Sequence, residues 1–124
     1  MLLSQCSLGP SASQKAEAGR ISHAIDALRD APNAAKQQLF ASLQTSACET
    51  PDLCALKQQC VTAFERHLHA LGETARAKSL LMSPGNEAEA AKALDSAETG
   101  LSQAAPEIDK CTDAQGAAQR KYKP

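Results

Sequence analysis

The chain has 124 residues, room for one domain with one modest core. Its 13 basic and 14 acidic residues leave a formal charge of −1 and are interleaved, which argues against a nucleic-acid partner, since that ligand selects a concentrated basic face. Alanine and leucine dominate, whereas Val61, Ile21, Ile25, Ile108, Phe40, Phe64 and Tyr122 are the whole supply of Val, Ile and aromatic residues. That balance favours helix over strand and predicts an all-α protein whose core is thin enough to need covalent help. No apolar run approaches the length of a membrane span.

Residues 1–11 read as a disordered tail or linker, with Ser, Gly and Pro and no periodicity. Within them, Leu3, Ser4, Gln5 and Cys6 resemble the lipobox of bacterial lipoproteins, where an apolar residue and two small ones precede a lipid-modified cysteine. Gln5 stands where that family carries Gly, Ala or Ser. The resemblance implies a lipid anchor at Cys6, membrane association through that lipid, and a natural start upstream of Met1 that would supply the basic and apolar leader.

A single helical domain is expected over 12–124. Ser11 and Gln14 have the spacing of a capping box, and Ala18, Ile21, Ala24, Ile25 and Leu28 then recur on one face. Pro32 disfavours helix at Ala31, and the pattern resumes with Ala35, Leu39, Phe40, Leu43 and Ala47, so that the first arm covers 12–47. The first arm is thus either one kinked helix or two successive ones. Thr50, Pro51 and Asp52 open the next helix as cap, first position and acidic first turn. Its stripe runs Leu53, Leu56, Cys60, Phe64, Leu68, Leu71, Ala75, and the helix should reach about Met82. "SPGN" makes a turn, with Asn86 and Glu89 as caps of the last helix. That helix carries Ala91, Leu94, Ala97, Leu101, Ala104, Ile108, Cys111, Ala118 and Tyr122, and Gly100 with Pro106 predicts a bend or break near 102–106. The outcome is an antiparallel bundle of three long arms, the first broken near Pro32, hence three to four helices.

The cysteines follow from register. A short loop makes the last two helices antiparallel neighbours, and facing residues then have numbers of constant sum. Leu71 with Leu101, Leu68 with Ala104, Phe64 with Ile108 and Ala75 with Ala97 all give 172, and Cys60 with Cys111 gives 171. Cys54 and Cys60 lie about 9 Å apart along one helix and about 240° apart around it, which forbids a disulfide between them. Cys54 with Cys111 is out of register. The remaining pairing is Cys48–Cys54 plus Cys60–Cys111, a disulfide-stapled helical hairpin, and disulfides place the protein in an oxidising, extracytoplasmic compartment, periplasmic or secreted. The cysteine spacings match no metal, haem-attachment or thioredoxin-like motif.

The one other cluster is Glu65, His67, His69 and Glu73, in which Glu65–His69 and His69–Glu73 are four apart and offer a metal-binding alternative, with a solvated polar face as the plainer reading. No nucleophile elbow, phosphate-binding loop or HExxH motif occurs, so the expectation is a non-enzyme without cofactor. The sequence points to a small disulfide-stabilised helical protein with a structural or protein-interaction role and an unknown protein partner.

Overall fold

The structure, a computed structural model, describes residues 9–123, so the lipobox-like segment and Cys6 lie outside the described residues. Four helices carry the chain: α1 (Ala12–Asp30), α2 (Asn33–Gln44), α3 (Pro51–Leu80) and α4 (Glu87–Lys121), with no strand among the described residues. The capping box that opens α1 is complete: Gln14 N donates to Ser11 Oγ at 3.1 Å and Ser11 N donates to Gln14 Oε1 at 2.9 Å. At its far end Ala31 is extended (φ −70°, ψ 146°), as the residue before a proline prefers, and the chain reverses there. The first arm is therefore two helices. Lys36, buried on α2, donates Nζ to Leu28 O and Arg29 O at 3.0 Å each and so satisfies the last carbonyls of α1. Glu17, near the start of α1, bonds the backbone at Glu49 and Thr50 just past the end of α2, which shows that α2 runs back along α1.

One core joins all four segments. Ile21, Ile25 and Leu28 of α1 meet Phe40 and Leu43 of α2, Leu53, Leu56, Cys60 and Phe64 of α3, and Cys111 and Tyr122 at the end of the chain. Helices of 30 and 35 residues span about 45 and 52 Å, whereas the 19 residues of α1 span about 28 Å. The α3–α4 pair accordingly outruns the other two helices and continues as a two-helix arm. Between Phe64 and Cys111 the buried apolar positions are Ala70, Ala77, Ala90, Ala93, Ala97 and Ala104, and no larger side chain is among them.

The seam of this arm corrects the expected one. Leu71, Ala75, Ala91 and Leu94 were expected to face inward. Ala75, Ala91 and Leu94 are instead exposed, and Leu71 is half-buried in a groove beside Asn33, Ala34 and Gln37 at the start of α2. The seam is rotated by about one residue, or 100°, so that alanines at sevenfold spacing face one another: Ala63, Ala70 and Ala77 on α3, and Ala90, Ala97 and Ala104 on α4. Beyond the start of α2 there is no third helix to cover a leucine, and the smallest side chains permit the closest approach. Gly100 belongs to this seam, since a Cβ there would sit 3.0 Å from Ala70 Cβ.

Helix-end expectations also change: α2 stops at Gln44, and Ala47 lies beyond it, exposed in the loop. Asn86 occupies the N-cap position of α4 but makes no side-chain cap bond, its backbone not being extended (φ −106°, ψ 13°), and Glu89 completes no capping box with it. Glu87 Oε1 instead accepts from Gly85 N at 3.3 Å, in a turn where Gly85 has φ +92°, a conformation that favours glycine. α3 stops at Leu80, two residues short of Met82.

Pro106 does not break α4, which is continuous from Glu87 to Lys121. Pro106 and Ser102 are both exposed, so the Ser102 carbonyl that loses its helical donor is open to water. Pro106→Ala restores that donor without touching the seam. We expect it to raise stability by about 1–2 kcal/mol, read as a higher urea midpoint at unchanged slope.

Candidate functional site

Both disulfides join the pairs that helical register predicts. Cys60 and Cys111 have Cα atoms 5.0 Å apart and are 0 % exposed, at the root of the arm. Cys48 and Cys54 have Cα atoms 5.4 Å apart, are both half-buried, and tie the loop before α3 to that helix's first turn. Two disulfides are compatible with an oxidising compartment. No described helix is long and apolar enough to cross a membrane.

The start of α3 gathers most of the polar chemistry. Glu17, only 5 % exposed, accepts from Glu49 N at 2.6 Å, Thr50 N at 3.1 Å and Thr50 Oγ1 at 2.7 Å. Thr50 is the N-cap residue by position, but its hydroxyl donates to Glu17 and makes no cap bond to α3. Lys57 Nζ donates to Ser46 O at 2.7 Å and holds the same loop from the other side. Asp52, in the first turn of α3, accepts from Lys121 Nζ and Tyr122 OH, each at 2.7 Å, which clamps the end of α4 beside the start of α3. Gly9 and Pro10 line a shallow pocket with these residues, so both ends of the described chain meet at this pole.

Burial pushes the Glu17 carboxyl up, but the Glu49 amide, the Thr50 hydroxyl and amide and the Arg20 charge together outweigh it and hold the group below its ordinary value of 4.5. Lys121 first and then Tyr122 hold Asp52 below its ordinary 3.8, against a smaller opposing effect of burial. A carboxylate depressed in the folded state contributes stability above its unfolded value and loses it as pH falls through its folded value. Glu17 therefore makes the protein acid-sensitive below its ordinary 4.5, and Asp52 adds to this below its ordinary 3.8. Glu17→Gln turns an amide NH₂ toward a cradle of donors. It should cost about 2 kcal/mol at pH 7 in urea denaturation, and the difference from wild type should shrink as pH falls through the depressed folded-state value of Glu17, where the carboxyl itself becomes neutral.

A second polar set aligns α1 with α4. Gln115 is buried, and its Nε2 donates to Ser22 O (3.1 Å), Ser22 Oγ (2.9 Å) and Asp26 Oδ1 (2.8 Å). Arg29 Nη2 donates to Gln115 Oε1 at 2.8 Å and Thr112 Oγ1 at 3.1 Å, and Arg29 Nη1 pairs with Asp26 at 3.0 Å. Arg29 Nε is buried without a partner among the described residues. Neither Glu17 nor Gln115 was singled out from sequence, although each sits on an apolar stripe: Glu17 four before Ile21, and Gln115 in the gap between Cys111 and Ala118.

The metal alternative is not assembled. Among the described residues no group of three or more His, Cys, Asp or Glu is placed to hold a metal ion. Glu65 and His69 are exposed, and Glu73 pairs with Arg76 at 3.5 Å. His67 turns away from them, edge-on to Phe64 with ring centroids 6.4 Å apart. Burial, and then the Lys36 charge, push the His67 imidazole below its ordinary value. The four cysteines that could supply thiolates are consumed in disulfides.

What remains is surface. An open groove of about 510 Å³ between α3 and α4 is lined by Ala55, Gln58, Gln59, Thr62, Glu107 and Lys110. At the turn of the arm, Leu81 is 57 % exposed and Met82 86 %, and Leu94 is also exposed on α4. Large apolar side chains held in water on a rigid projection are the feature most suited to contact another molecule. Neither a protein-family model, nor a curated protein, nor a solved structure matches this chain.

Proposed function

We propose that this chain is a small disulfide-stabilised helical protein of an extracytoplasmic compartment, that it presents its α3–α4 arm to a protein partner, and that a lipid on Cys6 holds it at a membrane surface. The arm carries the reading. Its root is fixed by a disulfide that no solvent reaches, its seam is alanine, and Leu81 and Met82 are spent on solvent at its end. Such an element contributes little to its own core: two packed alanine faces bury far less apolar area than the leucines it leaves outside. A long rod of low intrinsic stability is understandable when it gains contacts elsewhere.

Site-directed photo-crosslinking in the cells that make the protein tests this. A photoreactive residue at Met82 should give one discrete protein adduct, absent when the same residue replaces Ser42 on the exposed side of α2 and lost on Leu81→Ser. No adduct at Met82, or the same adduct from both positions, removes the proposal. The lipid half is separate: Cys6→Ala should shift the protein from the membrane fraction to the soluble one.

A further inference from the structure

The two disulfides differ in accessibility and in what else does their work. Cys60 and Cys111 are wholly buried, and beside them, among the described residues, α3 and α4 share only the Arg66–Glu107 pair at 3.3 Å, while Arg29 ties α1 to Thr112. Cys48, in the loop before α3 and packed against the edge of the core, and Cys54, in the first turn of α3, are each part-exposed. That loop is held twice more without them: by Glu17, through the amides of Glu49 and Thr50 and the Thr50 hydroxyl, and by Lys57 through Ser46 O. The loop they close is six residues, so the entropy it removes from the unfolded chain is the smaller of the two. A bond that solvent reaches, in a loop other groups already fix, can open without unfolding the protein.

We infer that Cys48–Cys54 is a thiol–disulfide exchange site whose ligands are small thiols or the dithiol of a reducing protein. The inference does not depend on the role of the arm. An incoming thiolate attacks Cys48 Sγ, and the bond to Cys54 Sγ breaks with its electron pair, leaving a mixed disulfide on Cys48 and a thiolate on Cys54. Cys54 lies in the first turn or so of α3, where the positive end of the helix favours that thiolate and makes it the better leaving group. A second thiolate then attacks the external sulfur of the mixed disulfide. It releases the external disulfide and leaves a thiolate on Cys48, so two electrons pass from two external thiols to the pair. Glu17 and Lys57 keep both cysteines in place for re-oxidation.

The test uses the full oxidised chain with Cys6→Ser, so that only the four paired cysteines report. Native protein is titrated with dithiothreitol, quenched with iodoacetamide and mapped by peptide mass, with helical circular dichroism read in parallel. Cys48 and Cys54 should be alkylated together at about tenfold lower reductant, or less, than Cys60 and Cys111, with the helical signal unchanged. All four cysteines labelling together, or none until helix is lost, overturns the inference. With a monothiol, reduced glutathione, the adduct should map to Cys48. An adduct on Cys54, or on both equally, overturns the assignment of Cys54 as the leaving group. Cys48→Ser with Cys54→Ser should still fold with Cys60–Cys111 paired, and failure to fold would mark the pair as a structural staple instead.

Discussion

Replacing Cys60 and Cys111 together with alanine should lower the unfolding free energy by about 4 kcal/mol, measured by urea denaturation of oxidised protein. The chain-entropy account gives this figure for a bridge across 51 residues, and about 2 kcal/mol for the six-residue Cys48–Cys54 loop. Domains of this kind hold about 5–15 kcal/mol in all, so the buried bridge accounts for a large share. Two further effects point the same way. Both sulfurs are fully buried in the core cluster, and alanine leaves unfilled space where they sat. Beyond Phe64 the fully buried apolar positions of the arm are all alanine, and it loses its one covalent closure. A loss under about 1 kcal/mol would mean that the unfolded chain keeps the hairpin together on its own.

Gly100→Leu should cost about 3 kcal/mol, and it should do so locally. Even the first atom of a side chain there lands 3.0 Å from Ala70 Cβ, a group fixed to the backbone of the facing helix. The helices must separate, and the seam alanines on either side, Ala97 and Ala104 on α4 and Ala77 on α3, lose contact with it. The Cys60–Cys111 bridge, itself part of the core, stands between this site and Ile21, Ile25 and Leu43, so the damage should stop there. Hydrogen exchange should rise across residues 70–100 while the amides around Ile21, Ile25 and Leu43 stay protected. Gly100→Ala is the instructive companion. It gains about 1 kcal/mol of helix propensity but meets the same contact, and Ala70→Gly in the same chain should relieve it. If Gly100→Leu lowers protection evenly through the core, the arm is not separable from the base.

The boundaries of the fold were legible because prolines write them plainly: Pro32 ends α1 through Ala31, and Pro51 opens α3. The cysteine pairing was legible for a different reason. Antiparallel hairpins obey an arithmetic that needs only a few stripe residues to fix, and an error of a residue or two does not change which sulfurs meet. The seam was legible only in part: Ala97 and Ala104 are inward as expected, but a stripe ranks leucine with alanine while a two-helix arm selects for small size, so Leu71 and Leu94 give way to Ala70 and Ala93. Pro106 misled in the opposite direction: a proline on the solvent side of a helix forfeits a bond that water replaces, and the sequence shows the residue without its exposure. Glu17 and Gln115 do not stand out in the sequence because an apolar stripe is defined by its apolar residues. A charged or amide side chain at an inward position is the signal that a loop or a neighbouring helix needs a hydrogen-bonding partner there.

The clamp of Asp52 on Lys121 and Tyr122 has a geometric corollary. It brings the last described helix to the pole where Gly9 and Pro10 also lie, while the bend at Gly85 sits at the other extreme of α4, about 50 Å away by helix length. Whatever grips this protein by either extremity holds it as a mast is held in its step, with Met82 at the masthead.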